Sequence, residues 1–471
     1  MPNRFLFYLI LLLAACTPHA RQTAEPLPLP ETFAVDQPVT AADFSGRWWE
    51  SFADTELNRL MEQLFNANLD LVQGHARLRQ AEMLARQSGA RAYPNLALDG
   101  QASHSSQPGP RGDSRGESAQ LSLTAGYELD LFGKLDAQSR GSLLNYQASQ
   151  SDLQSLYMSL AAQLAELYFQ VMEQRAQLAL ADATISTYTD SLNRVEMRYR
   201  QGLVPSVDVY QARQNLAAAQ AVRVNYVQGV SAGENALSVL LGNYPGQISF
   251  SIQDHLPPAP PPVPVGLPAN LLQNRPDLHA AFLRVKAADA QVAAAIADRF
   301  PSLNLSAGYG ISRSDLTGTL IRGDFWNLLL RLSQPLFDAG RRQNEVTRNQ
   351  AIFAEKVADY QQKVLRSFQE VADALVANQS IEEKIERLIE QEQASAAASR
   401  LSLQRYLGGL TDYLPVLNSQ ILHFNLRSRL LLTRRQLLSA RISLARALGG
   451  QWMVVAVNET PHQQEPKHGK D

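Results

Sequence analysis

Between Gln120 and Leu131 polar and apolar residues alternate without a break. Leu121, Leu123, Ala125, Tyr127, Leu129 and Leu131 share one face, and Gln120, Ser122, Thr124, Gly126, Glu128 and Asp130 share the other. Leu303, Leu305, Ala307, Tyr309 and Ile311 oppose Ser302, Asn304, Ser306, Gly308 and Gly310 in the same way. Period two predicts strands at 120–131 and 302–312, and short strands paired with them are expected at 95–105 and 325–334. A length of about 10 residues suits a strand crossing an outer membrane, with lipid on one side and a wet lumen on the other. A half-buried soluble sheet alternates equally well. The polar, glycine-containing stretches 103–119 and 312–324 tip the balance, because they resemble extracellular loops.

Elsewhere the apolar spacing is three and four, as in Leu156, Leu160, Leu164, Leu167 and Val171, which predicts helix. Opening helices are expected over 57–91 and 277–299. Proline-free runs at 134–201 and 341–408 predict long helices of about 68 residues, or roughly 100 Å at 1.5 Å per residue. Glycine-centred turns follow (Gly202-Leu203-Val204-Pro205 and Gly408-Gly409-Leu410-Thr411), then return helices at 205–241 and 412–448. A return helix of about 37 residues is too short to match its long partner, so opening and return helices must stack end to end.

The order of elements occurs twice. Asp70-Leu71 and Asp277-Leu278 lie 207 positions apart. The same offset relates Tyr93-Pro94 to Phe300-Pro301, Arg198-Tyr199 to Arg405-Tyr406, Gly202-Leu203 to Gly409-Leu410 and Leu241-Gly242 to Leu448-Gly449. The chain therefore divides into repeats at 46–244 and 271–449, joined by a proline-rich linker at 245–270. Seven prolines between Pro257 and Pro268 make that linker stiff and extended. A polar tail, 450–471, reads as disordered.

The 471 residues carry a net charge of −2 and no basic run, which gives no reason to expect nucleic acid. Arg4 precedes an apolar stretch of about 11 residues, Phe5 to Ala15, too short to span a bilayer and suited to a signal peptide at 1–15. Leu13-Ala14-Ala15-Cys16 resembles the lipobox of bacterial lipoproteins, and Cys16 is the only cysteine. It implies acylation of Cys16 after cleavage, an anchor of more than one acyl chain, and an extended segment at 16–45. Thr17, where retained lipoproteins tend to carry Asp, favours the outer membrane. With no other long apolar run, any span must be made of strands. Four strands cannot close a barrel, and open edges in lipid are costly, so edges must pair between copies of the chain. Physics alone leaves the copy number open.

No HExxH, Cys/His ligand spacing, phosphate-binding loop or GxSxG elbow is present, so neither catalysis nor a metal or other cofactor is expected.

Several motifs together are similar to the outer-membrane efflux protein family of TolC, OprM and NodT. They are Trp48-Trp49-Glu50-Ser51-Phe52 with Asp54 and Leu57; Asn274-Arg275-Pro276-Asp277-Leu278; Glu128 to Lys134; Ser333 to Arg341; and Glu370 to Leu375. The resemblance runs from Trp48 to Gly449, and the lipobox places it nearer the lipidated OprM-like branch. It implies a homotrimer with a twelve-stranded barrel continuous with a periplasmic helical barrel. It also implies a passive conduit for drugs or other small solutes, a periplasmic adaptor, and an inner-membrane pump of the resistance-nodulation-division type. A type I protein-secretion channel, usually unlipidated, is the nearest alternative. A periplasmic coiled-coil lipoprotein is another, which the alternating strands argue against.

By the same resemblance the turns after the long helices form the periplasmic mouth. Arg198, Tyr199 and Asp208 flank one, and Arg405, Tyr406 and Asp412 the other; Gly202, Leu203, Val204, Gly409, Leu410 and Thr411 form the tips that dock the adaptor. Asp412 is expected to pair with Arg405 or a neighbouring cation. Alternatively, both aspartates merely offset a helix dipole. Pro415 and Asn418 replace mouth aspartates of some members, which weakens the case for a second acidic ring.

Overall fold

The computed structural model describes residues 46–108, 114–262, 271–272, 274–316 and 319–450. The leader at 1–15, Cys16, the 16–45 segment, linker residues 263–270 and tail residues 451–471 lie outside these. A 3-10 turn, Trp48–Phe52, precedes α1 (Thr55–Ala67) and α2 (Leu69–Ala90). Strands β1 (Asn95–Gln107) and β2 (Ser114–Leu129) lead to α3 (Lys134–Arg200) and α4 (Ser206–Leu240). The second repeat has α5 (Pro276–Ala297), β3 (Ser302–Leu316), β4 (Thr319–Ser333), α6 (Arg341–Leu407) and α7 (Tyr413–Leu448). The chain forms two compact units, described separately below.

Arg77–Ser151 with His279–Lys363 holds the sheet, a four-stranded antiparallel array in the order β1-β2-β3-β4. Its register aligns the alternation of every strand. Leu98, Leu123, Tyr309 and Trp326 form one row, and Leu96, Ala125, Ala307 and Leu328 the next. Most of these large side chains are exposed, so the apolar face has no cover among the described residues. The expected long loops are a correction. β1 and β2 pair as far as Gln107 and Ser114, and β3 and β4 as far as Leu316 and Thr319. Rungs such as Ser103–Ser118 and His104–Glu117 are polar on both faces, so alternation gives no sign of the ladder they continue. Ser122, expected to face a wet lumen, is buried. A Cβ on its partner Gly310 would meet the Phe325 ring at 2.8 Å, so that ring occupies the space the glycine leaves open.

At the exit of β2, Gly133 turns the chain at φ 73° and Asp130 accepts from the Asp136 amide at 2.8 Å, starting α3. Phe132 stacks on Phe300 with centroids 4.9 Å apart and planes 18° apart. Lys134 bridges Glu128 at 3.5 Å and Asp298 at 3.1 Å. Beyond the exit, small residues bring helices together, and a Cβ on Gly141 would approach the Ala287 carbonyl at 3.5 Å.

The other unit comprises 46–76, Asp152–Leu278 and 364–450. The tryptophan motif fixes its start. Trp48 and Trp49 meet edge-on at 5.7 Å, Trp49 packs on Phe65, and Phe52 lies 5.0 Å from Phe169. Asp54 caps α1 by accepting from the Glu56 and Leu57 amides, and accepts from the Tyr168 hydroxyl at 2.7 Å.

The opening helix of the first repeat is two helices, not one over 57–91, because Asn68 breaks it at ψ 127°. Asn68 Oδ1 accepts from the Leu71 amide at 3.0 Å, capping α2, while Nδ2 donates to the Leu240 carbonyl at 2.8 Å, capping α4. One side chain thus joins the end of the return helix to the start of the opening one. In the second repeat Arg275 stands at that position. It donates to the Ala447 carbonyl at 3.2 Å and pairs with Asp277 at 2.7 Å and Glu370 at 2.6 Å.

The described part of the linker is pinned. Arg175 pairs with Glu234 at 2.6 Å and donates to the Ile252 carbonyl. Arg441 pairs with Glu382 and donates to the Pro260 carbonyl at 2.8 Å. Positions 175 and 382, and 234 and 441, are related by the 207-residue repeat. The same ion pair therefore occurs twice with its charges exchanged, and the arginine grips the linker each time.

Candidate functional site

The mouth candidates lie where α3 turns into α4 and α6 into α7. Both long helices end identically. The Gly202 amide bonds to the Tyr199 carbonyl and the Leu203 amide to Arg198, each at 2.9 Å. The Gly409 amide bonds to Tyr406 at 3.0 Å and the Leu410 amide to Arg405 at 2.9 Å. Gly202 (φ 72°) and Gly409 (φ 71°) take the left-handed conformation that this C-terminal motif requires. Leu203 and Leu410, which often fold back onto the helix in this motif, are exposed.

The repeated Arg-Tyr dipeptides have unlike surroundings. Tyr406 is 2% exposed, whereas Tyr199 is 48% exposed. Tyr406 packs with Val195, Val209, Ala212, Tyr413, Val416 and Leu417, joining all four helix ends, and lies 5.3 Å from the Tyr413 ring. Arg198 lays its guanidinium over the Tyr406 ring at 4.9 Å and donates to the Leu407 carbonyl at 2.9 Å. It thereby ties the first turn to the second. Arg405, its counterpart, is exposed.

Asp208 and Asp412 stand at the starts of the two return helices. Asp412 stands at the N-cap of α7, but its side chain makes no capping hydrogen bond. Asp208, in the first turn of α4, is buried. Burial raises its carboxyl above the ordinary range, and the negative charge of Asp412 adds to the rise. The Tyr406 hydroxyl is pushed up to about 12 by burial, with Asp208 contributing. The charge of Asp412 thus acts on Asp208 within the same chain.

Three contributors escaped the sequence reading. The Ser191 and Tyr413 hydroxyls lie 3.2 Å apart in the interior. Glu196 holds Arg213 at 2.7 Å and Arg200 at 3.7 Å. His423 lies 3.7 Å from Glu392, and burial keeps its imidazole below the usual value. The glutamate and its two arginines were legible only as helix-surface charges. Among the described residues no group of three His, Cys, Asp or Glu could hold a metal, and no helix is long and apolar enough to cross a membrane.

The sequence profile described as "Outer membrane efflux protein" matches residues 60–243 and again 267–450. The solvent efflux pump outer membrane protein SrpC of Pseudomonas putida is 34% identical over 415 residues, 86% of this chain and 87% of that protein. The cation efflux system protein CusC of Escherichia coli O6:H1 is 30% identical over 462 residues, 95% and 98% of the two chains. The solved structure of the outer-membrane channel OprN superposes with a TM-score of 0.83 at 28% identity, covering 92% of this chain and 99% of that one. A solved CusC structure gives 0.82 at 28%, covering 92% and 100%. With two matches that together span most of its length, the chain belongs to the outer membrane efflux protein family.

Proposed function

We propose that this chain is the outer-membrane exit duct of a tripartite efflux system. Three copies close a twelve-stranded barrel, and a periplasmic adaptor docks on the exposed Leu203 and Leu410 tips. An inner-membrane pump of the resistance-nodulation-division type supplies the energy, while the duct itself catalyses nothing. The cargo is drugs or other small solutes. Cys16 is the acylated N-terminus. The observation that carries this reading is the sheet: four strands with two open edges and an uncovered apolar face suit lipid and neighbouring copies, not water.

At the mouth, Arg198 over Tyr406 is the intrachain half of the gate. The repeat supplies its counterpart, Arg405 over Tyr199 of the partner subunit, which explains why both are exposed within one chain. Asp208 and Asp412 line the mouth with negative charge and repel anions. Opening is a shift between two packings of the turns. The test is single-channel recording in planar bilayers with the full chain. Wild type should form a small, mostly closed pore, and Arg405→Ala should raise its resting conductance. A wild-type chain that never conducts would overturn the duct, and an Arg405→Ala conductance equal to wild type would remove Arg405 from the gate.

A further inference from the structure

The exits of the two hairpins are equivalent in sequence and unlike in surroundings. Leu131-Phe132 follows β2 and Leu336-Phe337 follows β4. Phe132 stacks on Phe300, which leads into β3, the neighbouring strand. Phe337 has no such neighbour: it is 90% exposed, and Leu336 is 93% exposed. The residue 207 positions before Phe300 is Tyr93, leading into β1, and it is 73% exposed. An aromatic step is filled at the β2–β3 seam, and its two halves lie bare at the open β4 and β1 edges.

We infer that a second copy of this chain completes the step, with Phe337 stacked on Tyr93 of the partner subunit and β4 paired to β1 in one fixed register. The inference rests on the duct reading and adds the contact and the register to it. The β2–β3 ladder sets Leu129 opposite Leu303, Tyr127 opposite Leu305 and Glu128 opposite Asn304. The second exit has two extra residues, Asp338 and Ala339. They fall after Phe337, where Ala339 (φ 52°) and Gly340 (φ 83°) turn the chain toward α6. The strands are therefore aligned on the aromatic residues. This places Ser333 opposite Ala97 of the partner subunit and Leu332 opposite Leu98 of the partner subunit. Leu330 then faces Gly100 of the partner subunit, and Leu328 faces Ala102 of the partner subunit. The register keeps Leu328, Leu330 and Leu332 on the same face as Leu96 and Leu98, which a slip of one residue would destroy. Two of these pairs, those of Leu330 and Leu328, set a leucine against a small residue. The polar part of the junction does not carry over: Arg91 stands where Asp298 does, so the Lys134–Asp298 bridge has no counterpart and the aromatic pair carries the contact.

The test is disulfide trapping in outer-membrane vesicles from cells expressing the full chain. Directly opposed cross-strand Cβ atoms lie close to disulfide reach, while diagonal neighbours lie beyond it. Ser333→Cys with Ala97→Cys should give covalent dimers and trimers on non-reducing gels. Each single variant, which also carries Cys16, should give none. Ser333→Cys with Asp99→Cys, the diagonal neighbour two residues along, should give far less. A stronger ladder from the Asp99 pair would overturn the register. No ladder from either pair, with wild type conducting in bilayers, would overturn the edge contact and leave the duct standing; absence of both would remove the two together. The aromatic step has its own readout. Phe337→Ala and Tyr93→Ala should each lower the temperature at which the oligomer dissociates, the double variant should lower it by clearly less than the sum, and Phe337→Tyr should restore it. Unchanged dissociation in both single variants would mean that lipid or adaptor, not a second copy, covers Phe337.

Discussion

Tyr199 and Tyr406 hold the same place in the two repeats, yet one is exposed and the other sealed in an apolar cluster. The 207-residue offset marks both and cannot separate them, because burial depends on which turn packs against which. Asp208 and Asp412 show the same limit. Their position near helix starts was legible, but their coupling to each other, across α4 and α7, was not. That coupling gives Asp208 a signed pH dependence. Its carboxyl is raised in the folded tip by burial and by Asp412, above an ordinary value near 3.8. A raised acid binds its proton more tightly when folded. Its contribution to stability is therefore fully present below the unfolded pKa and is lost as pH rises through the folded one. Hydrogen exchange of the tip amides should accordingly slow as pH falls through that window, after correction for intrinsic rates. Asp208→Asn should flatten the dependence. An Asn variant with the wild-type slope would assign the effect to another group.

At the scale of elements, alternation is clear in β2 and β3, and it fails where rungs such as His104–Glu117 are polar on both faces. The break at Asn68 was missed because helix-forming residues continue on either side. Its signal was an Asn at the N-cap of Leu69-Asp70-Leu71. The linker's attachment could not be read from its prolines, since the residues that grip it lie far away in sequence. The exchanged pairs Arg175–Glu234 and Glu382–Arg441 make a prediction of unequal cost. Arg441 is buried and also donates to Asn378 and the Pro260 carbonyl, whereas the Arg175–Glu234 pair is partly exposed. Removing one member of a buried pair costs about 3–5 kcal/mol, and the half-exposed Glu382 moves Arg441→Ala to about the lower end of that range. Arg175→Ala should cost less. Thermal melting of both variants in detergent decides the order, and equal losses would show that burial does not set the strength of the clamp.

For the whole molecule, two devices could hold the protein in its membrane: acyl chains on Cys16 and the closed strands. They differ in physical consequence. Buried methylenes give about 0.8 kcal/mol each, enough for a firm anchor when two or more chains are present, but they hold only the terminus. Closed strands satisfy every backbone group and present an apolar band, so a barrel needs no anchor to stay inserted. The apolar face formed by Leu96, Leu98, Leu123, Tyr309, Trp326 and Leu328 is exposed in a single chain, and in the proposed closed barrel lipid covers it. Under the proposed acylation, Cys16→Ser should lack the lipid mass expected on the intact wild-type protein, yet remain in the outer-membrane fraction after carbonate extraction. Its assembly should be slower, because an unanchored chain must find the membrane and its partners by diffusion through the periplasm. Pulse-chase labelling followed by mild-detergent gels measures that delay, and extraction of the fully assembled material measures the hold. If assembled Cys16→Ser oligomers release into carbonate, the acyl chains and not the strands retain the protein. A wild-type mass without lipid, at an N-terminus other than residue 16, would remove the anchor and leave the strands as the whole of the membrane attachment.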